Sequence, residues 1–144
     1  MPSVASELNK FLKVFGVRVV YRRVRRRRRV ASAASKKGLA ENKTRALELV
    51  SNRLAHFNQH YKFAIGRVSI KNQTTRWGSC SKKGNLNFNY KLALLPVELQ
   101  DYLIVHELCH IGAFNHSKTF WDLVARTIPH HGELRKRLRS MNAG

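Results

Sequence analysis

A chain of 144 residues, 43% of them apolar and 25% charged, has the length of one domain and the composition of a globular protein with a real core. Twenty-eight Lys and Arg against eight acidic residues leave a formal charge of +20. That balance excludes an acidic or charge-neutral surface and points to polyanionic partners, nucleic acid first among them. No apolar run reaches the ~18–20 residues of a membrane span, and no h-region marks a secretory signal. Membrane association is therefore not expected. Two cysteines, Cys80 and Cys109, form no Cys-x-x-Cys pair and no disulfide framework, so a reducing cytoplasm is the expected compartment.

Near the N-terminus Leu8, Phe11, Leu12 and Phe15 fall at helical spacing, which predicts a short amphipathic helix over residues 3–15. Residues 17–21 read as a strand. Then come Arg22, Arg23, Arg25, Arg26, Arg27, Arg28 and Arg29, interrupted only by Val24. Such a run is either a solvated segment or a phosphate-contacting arm that orders on nucleic acid. Residues 32–38 read as a flexible link. This division sets a short helix and basic segment, 1–38, before a folded domain, 39–144.

Within that domain Leu39, Leu47, Val50, Leu54 and Phe57 mark one face of a helix over 39–61, with Gly66 at the exit. Residues 68–70 alternate as a strand, 73–79 read as extended, and 82–85 as a turn. Leu86-Asn87-Phe88-Asn89-Tyr90 alternates apolar with Asn, the pattern of a third strand. Pro96 suits the first turn of a helix running to about Phe114. A helix over 117–128 turns Phe120, Trp121, Val124 and Ile128 inward and stops at Pro129. A basic helix over 131–141 carries Leu134 and Leu138. The expected fold class is α+β: a small antiparallel sheet packed on a long helix and a second helix, with a helical C-terminal tail.

The second helix carries the chemistry. His106 and His110 stand four apart in an apolar stretch and share one helix face, so both imidazoles can bind one zinc ion from a rigid platform. Glu107 lies beside them, placed to deprotonate an attacking water. His116 follows after five intervening residues, enough to end the helix and fold back a third imidazole. Three protein ligands and one open position are the arrangement of a catalytic rather than a structural zinc site. His130 and His131 compete for the third place but lie beyond another helix, at its cap. Glu107 has little structural reason to sit in an apolar helix face, because a carboxylate buried without a partner is costly. Trp77 and Trp121 are expected as core aromatics. Asn87 and Asn89, on one face of the strand, are either edge-strand contacts to an extended peptide substrate or merely exposed. Arg76, Asn87, Asn89 and Tyr90 are candidates to stabilise an oxyanion.

Between Arg76 and Trp121 the residues fall in a recognisable order. Arg76-Trp77-Gly78-Ser79-Cys80 is followed by Leu86-Asn87-Phe88-Asn89, Pro96, Asp101-Tyr102, the His106–His110 motif, Asn115-His116-Ser117 and Phe120-Trp121. Together they resemble the YgjP-like metallopeptidase domain, a zincin related to the SprT and WLM proteases. The resemblance covers roughly residues 40–140. It implies a zinc peptidase with His106, His110 and His116 as ligands and Glu107 as general base, acting on a protein or peptide substrate. Relatives that act on DNA-bound proteins would suit the charge. The chain departs from the family in its first forty residues, where members carry a longer, strand-rich part.

Three functions follow. The first is a zinc metallopeptidase. The second is a basic nucleic-acid-binding module with a structural or inactive zinc site. The third is a zinc hydrolase of a non-peptide substrate. Glu107 separates the first from the second, because a structural site has no use for a general base.

Overall fold

Helix α1 (Ala33–Tyr61) is the longest element. Leu47, Val50, Leu54, Phe57 and Tyr61 recur every three or four residues along it, and all are buried. The structure is a computed structural model that describes residues 18–19 and 33–141, with side chains from residue 36 onwards. The short helix expected over 3–15 and the arginine run 22–29 lie outside the described residues. Residues 33–38, read from sequence as a flexible link, are instead the first turns of α1. Ala33, Ala34 and the Lys36-Lys37 pair are good helix formers, and they outweigh the roughly 1 kcal/mol that Gly38 costs there. The helix stops at Lys62, which takes a left-handed φ of 55°. Asn58 then holds the exit, its side chain accepting from the Phe63 amide at 2.9 Å and donating to the Phe63 carbonyl at 3.0 Å.

Among the described residues four short strands follow the order β1-β2-β4-β3: β1 (Arg18–Val19), β2 (Arg67–Lys71), β3 (Gly78–Cys80) and β4 (Leu86–Asn89). The hairpin β3–β4 is antiparallel, whereas β1–β2 and β2–β4 are parallel. The sheet is thus mixed, not wholly antiparallel as the sequence suggested. Asn85, in the hairpin turn, decides this. Its side-chain oxygen accepts from the Arg67 amide at 2.8 Å, and the neighbouring Gly84 carbonyl accepts from Gly66 at 2.9 Å. Both contacts pin the start of β2 to the start of β4, so the two strands run the same way.

After a 3-10 turn (Tyr90–Leu94), α2 (Val97–Cys109) enters the core. Gln100 donates back to the Leu95 carbonyl at 2.9 Å, and Arg53 of α1 grips Asp101 with two hydrogen bonds of 2.7 and 2.9 Å. Helices α3 (Lys118–Ala125) and α4 (His131–Ser140) close the fold. The α+β architecture expected from sequence stands.

Candidate metal centre

His106, in the last turn of α2, and His110, its C-cap, face the same side, their ring centroids 4.9 Å apart. The helix ends at Cys109, one turn before the expected Phe114, because the chain reverses there. At Gly112 this reversal presses the backbone onto Phe63. A Cβ at that position would lie 2.6 Å from the tip of the Phe63 ring, closer than real contacts come, so any larger residue there would make the ring shift. The turn returns His116 to the helix, its Nε2 3.2 Å from Nε2 of His106. Among the described residues His106, His110 and His116 form a cluster whose ligand atoms all lie within 4.8 Å of one another.

The surroundings orient each ring. Nδ1 of His110 donates to the Ala113 carbonyl at 3.2 Å, which leaves Nε2 with its lone pair free. Nδ1 of His106 lies 3.3 Å from the Tyr102 hydroxyl, one turn earlier on α2. Fully buried Phe120 stacks on His110 at 4.4 Å and meets His106 and His116 edge-on. Trp121 stacks on His116 at 5.8 Å.

Burial is the main force that pushes all three imidazoles below their usual pKa, His106 to about 3. The neighbouring imidazoles and Arg135 push His106 further in the same direction. Neutral imidazole is the form that binds metal. Two nitrogens on a tetrahedral zinc, with bonds of ~2.0–2.1 Å, stand about 3.3–3.4 Å apart, close to the 3.2 Å between the two Nε2 atoms. The donor set, its neutral form and the His106–His116 spacing fit a divalent metal.

Glu107 sits beside the rings, only 6% exposed, with no hydrogen-bond or ion-pair partner among the described residues. Burial raises its carboxyl to about 8. Its side chain lies against Gly78 of β3. A Cβ there would stand 3.0 Å from Glu107 Cγ and Oε1 and 3.0 Å from the Asn87 carbonyl. A side chain there would make the strand or Glu107 give by a few tenths of an ångström. An open cleft of about 300 Å³ runs past these groups, with Trp77, Gly78, His106, Glu107 and His116 on its walls.

The structure brings together four of the residues singled out in the sequence, His106, Glu107, His110 and His116. It places the asparagines elsewhere. Strand β4 lies between β2 and β3, so neither Asn87 nor Asn89 is on a sheet edge, and neither lines the cleft. Asn87 donates to Ser79 Oγ at 3.2 Å. Asn89 is fully buried and fully engaged: it accepts from the Lys91 amide and donates to the carbonyls of Gln73 and Arg76. Reading Asn89 as a substrate contact is corrected to a structural bracket that ties the 73–76 loop to the sheet. Neither Trp77 nor Trp121 is buried in the core; both are half-buried at the site. His131 stacks on Trp121 at 5.1 Å at the start of α4, and no metal-ligand cluster includes it or His130.

Sequence reasoning missed Gly78, Tyr102, Phe120 and the arginines of α4 as parts of this site. A lone glycine in a strand pattern signals close approach, and Tyr102 stands at i−4 from His106. The partners of α4 carried no such local signal.

The family model of the YgjP-like metallopeptidase domain matches residues 17–141. The match therefore includes β1 and the arginine run. Among solved structures, the metallopeptidase zymogen of Pyrococcus abyssi abylysin is 26% identical, covering 63% of this chain and 92% of that one, with a TM-score of 0.58. A Wss1 mutant from Saccharomyces cerevisiae is 13% identical, covering 84% of this chain and 91% of that one, with a TM-score of 0.53, a likeness of fold alone. No curated protein matches the sequence.

Proposed function

The chain belongs to the YgjP-like metallopeptidase domain family, and we propose that it hydrolyses peptide bonds using one zinc ion held by His106, His110 and His116, with Glu107 as general base. The observation that carries this reading is the buried, unpartnered Glu107 carboxylate beside three convergent neutral imidazoles. A structural metal site has no use for an acid at this position, and a largely buried polar group without a partner costs stability.

Zinc, when bound, supplies Lewis acidity that activates water and polarises a carbonyl. The chain's own residues do the rest. Glu107, once ionised, takes a proton from the attacking water and passes it to the leaving amine. Burial holds its carboxyl up at about 8, and a divalent cation held by the neighbouring imidazoles would favour the ionised form it needs. Tyr102 and Ala113 hold two of the rings in position through Nδ1. Strand β3 forms the described edge of the sheet and reaches the cleft at Gly78. An edge strand so placed could pair with an extended peptide.

Replacing Glu107 with Gln tests the assignment. The metal-loaded variant should keep its fold and metal and lose about 10²–10⁴-fold in peptide turnover, the usual contribution of a general base. Wild-type turnover by that variant rejects the role.

The charge of +20 supports a finer reading, a cytoplasmic peptidase acting on proteins associated with nucleic acid, with the Arg22–Arg29 run contacting phosphates. None of the helices among the described residues is long and apolar enough to cross a membrane. Replacing the seven arginines with Gln should weaken DNA or RNA binding and flatten its salt dependence, each lost contact removing roughly 0.7–0.9 from the log–log slope. Unchanged affinity and slope leave the run as a solvated segment.

A further inference from the structure

The cleft is bordered by three guanidinium groups. Arg76 stands on one wall, in the loop before β3, and the buried Asn89 amide fixes its backbone by donating to the Arg76 carbonyl at 3.1 Å. Arg135 and Arg139 stand on the other wall, one turn apart on α4. Arg135 lies 4.8 Å over the ring of Trp121, which in turn stacks on His116. A single indole therefore separates this cation from a candidate metal ligand.

What these arginines lack is a counter-charge. Arg137, on the same helix, pairs with Glu98 at 2.8 Å, and Arg53, Lys37 and Lys118 also have carboxylate partners. Arg76, Arg135 and Arg139 have none among the described residues. The one acid in the cleft is Glu107, buried behind the imidazoles. Three like charges around one cleft repel each other, and a bound carboxylate relieves that repulsion while gaining charge-assisted hydrogen bonds from a guanidinium fork.

We infer that the cleft selects peptides bearing carboxylates within a few residues of the scissile bond, with Arg76, Arg135 and Arg139 as the specificity-determining residues. The inference rests on the peptidase reading above and names its substrate class: acidic peptide segments. The carboxylates can come from Asp and Glu side chains or from the free C-terminus of the peptide. A peptide fits better than a nucleic acid, because β3, the last strand of the described sheet, reaches the cleft at Gly78, where the main chain of an extended peptide could lie beside it.

The test uses the full chain with Glu107→Gln, loaded with zinc, so that bound peptide is not consumed. Fluorescent peptides containing Asp and Glu are compared by anisotropy with their Asn and Gln counterparts at physiological salt, each with a free or an amidated C-terminus. The acidic peptide should bind about tenfold more tightly than its amide counterpart, the equivalent of one good charge-assisted contact. Preference that persists after amidation assigns it to side chains, and preference confined to the free terminus assigns it to the terminal carboxylate. Adding Arg135→Gln/Arg139→Gln should bring the ratio most of the way to one, with Arg76 keeping the remainder. Lys82→Gln/Lys83→Gln removes the same charge from exposed positions outside the cleft and should leave the ratio unchanged.

If the glutamine pair does not fold, as judged by circular dichroism, Arg135→Lys/Arg139→Lys keeps the charge, loses the fork and should lower the ratio part-way. Equal binding of acidic and amide peptides overturns the inference. So does an equal loss in the lysine control, or an oligonucleotide whose binding alone depends on the arginines. Wild-type protein that binds the acidic peptide through these arginines but cleaves no peptide would instead reject the peptidase reading, so the two failures are told apart.

Discussion

Helices α1 and α2 pack against each other and treat water in opposite ways. Along α1 one stripe is buried, and the remaining surface carries Lys, Arg, Glu and Asn. In α2, from Leu99 to Cys109, only Asp101 and His106 escape full burial, the first holding Arg53 and the second facing the cleft. The metal motif sits on the helix that has almost no solvent face. Burial there keeps the imidazoles neutral and the Glu107 carboxyl basic. The same motif on α1 would give ordinary surface histidines and an ordinary carboxylate. The contrast teaches that α1 contributes stability and α2 contributes reactivity, and substitutions can separate the two.

The largest separation should come from His106→Ala/His110→Ala, which is expected to drop bound zinc from about one ion per chain to near zero while the far-ultraviolet dichroism of the helices persists. Undiminished metal by elemental analysis would break the assignment of α2 as the metal platform. The converse substitution, Leu54→Ala on α1, should destabilise the fold by about 2–5 kcal/mol, as large-to-small changes in a core do. The folded fraction should still bind zinc and turn over at the wild-type rate. A fall in kcat at a temperature where the variant is fully folded would mean that α1 is not merely a support. Asp101→Asn should have the smallest effect. It weakens the two-pronged bond between the helices and should cost about 1–2 kcal/mol in denaturant titration, with kcat unchanged.

How much of this was legible in the sequence follows from how local each feature is. His106, Glu107, His110 and His116 lie within eleven consecutive residues, and helical spacing alone brings two of the histidines together. The buried stripe of α1 was legible for the same reason. The strand order was not. Alternation in 86–90 says that one face is buried, but not which strand lies alongside. The deciding contact, the Asn85 side chain on the Arg67 amide, joins residues 18 apart. Asn89 misled because an Asn in a strand reads as solvent-facing until the loop that covers it is placed. The arginines of α4 reach the cleft only because α4 folds back across α2, and no periodicity within 131–141 reports that.

That split in locality bears on the order in which the molecule assembles and fails. Bringing His106, His110 and His116 together closes a loop of about ten residues, a small entropic cost that even a loosened chain can meet. The walls of the cleft come from residues around 76–78 and 135–139, so their meeting depends on the sheet and α4 being docked. On heating, the grip on the metal should outlast the shape of the cleft, so substrate selection is lost first and the ion is released last. A partly unfolded molecule would still hold its zinc and Glu107 but lack the walls that choose what reaches them.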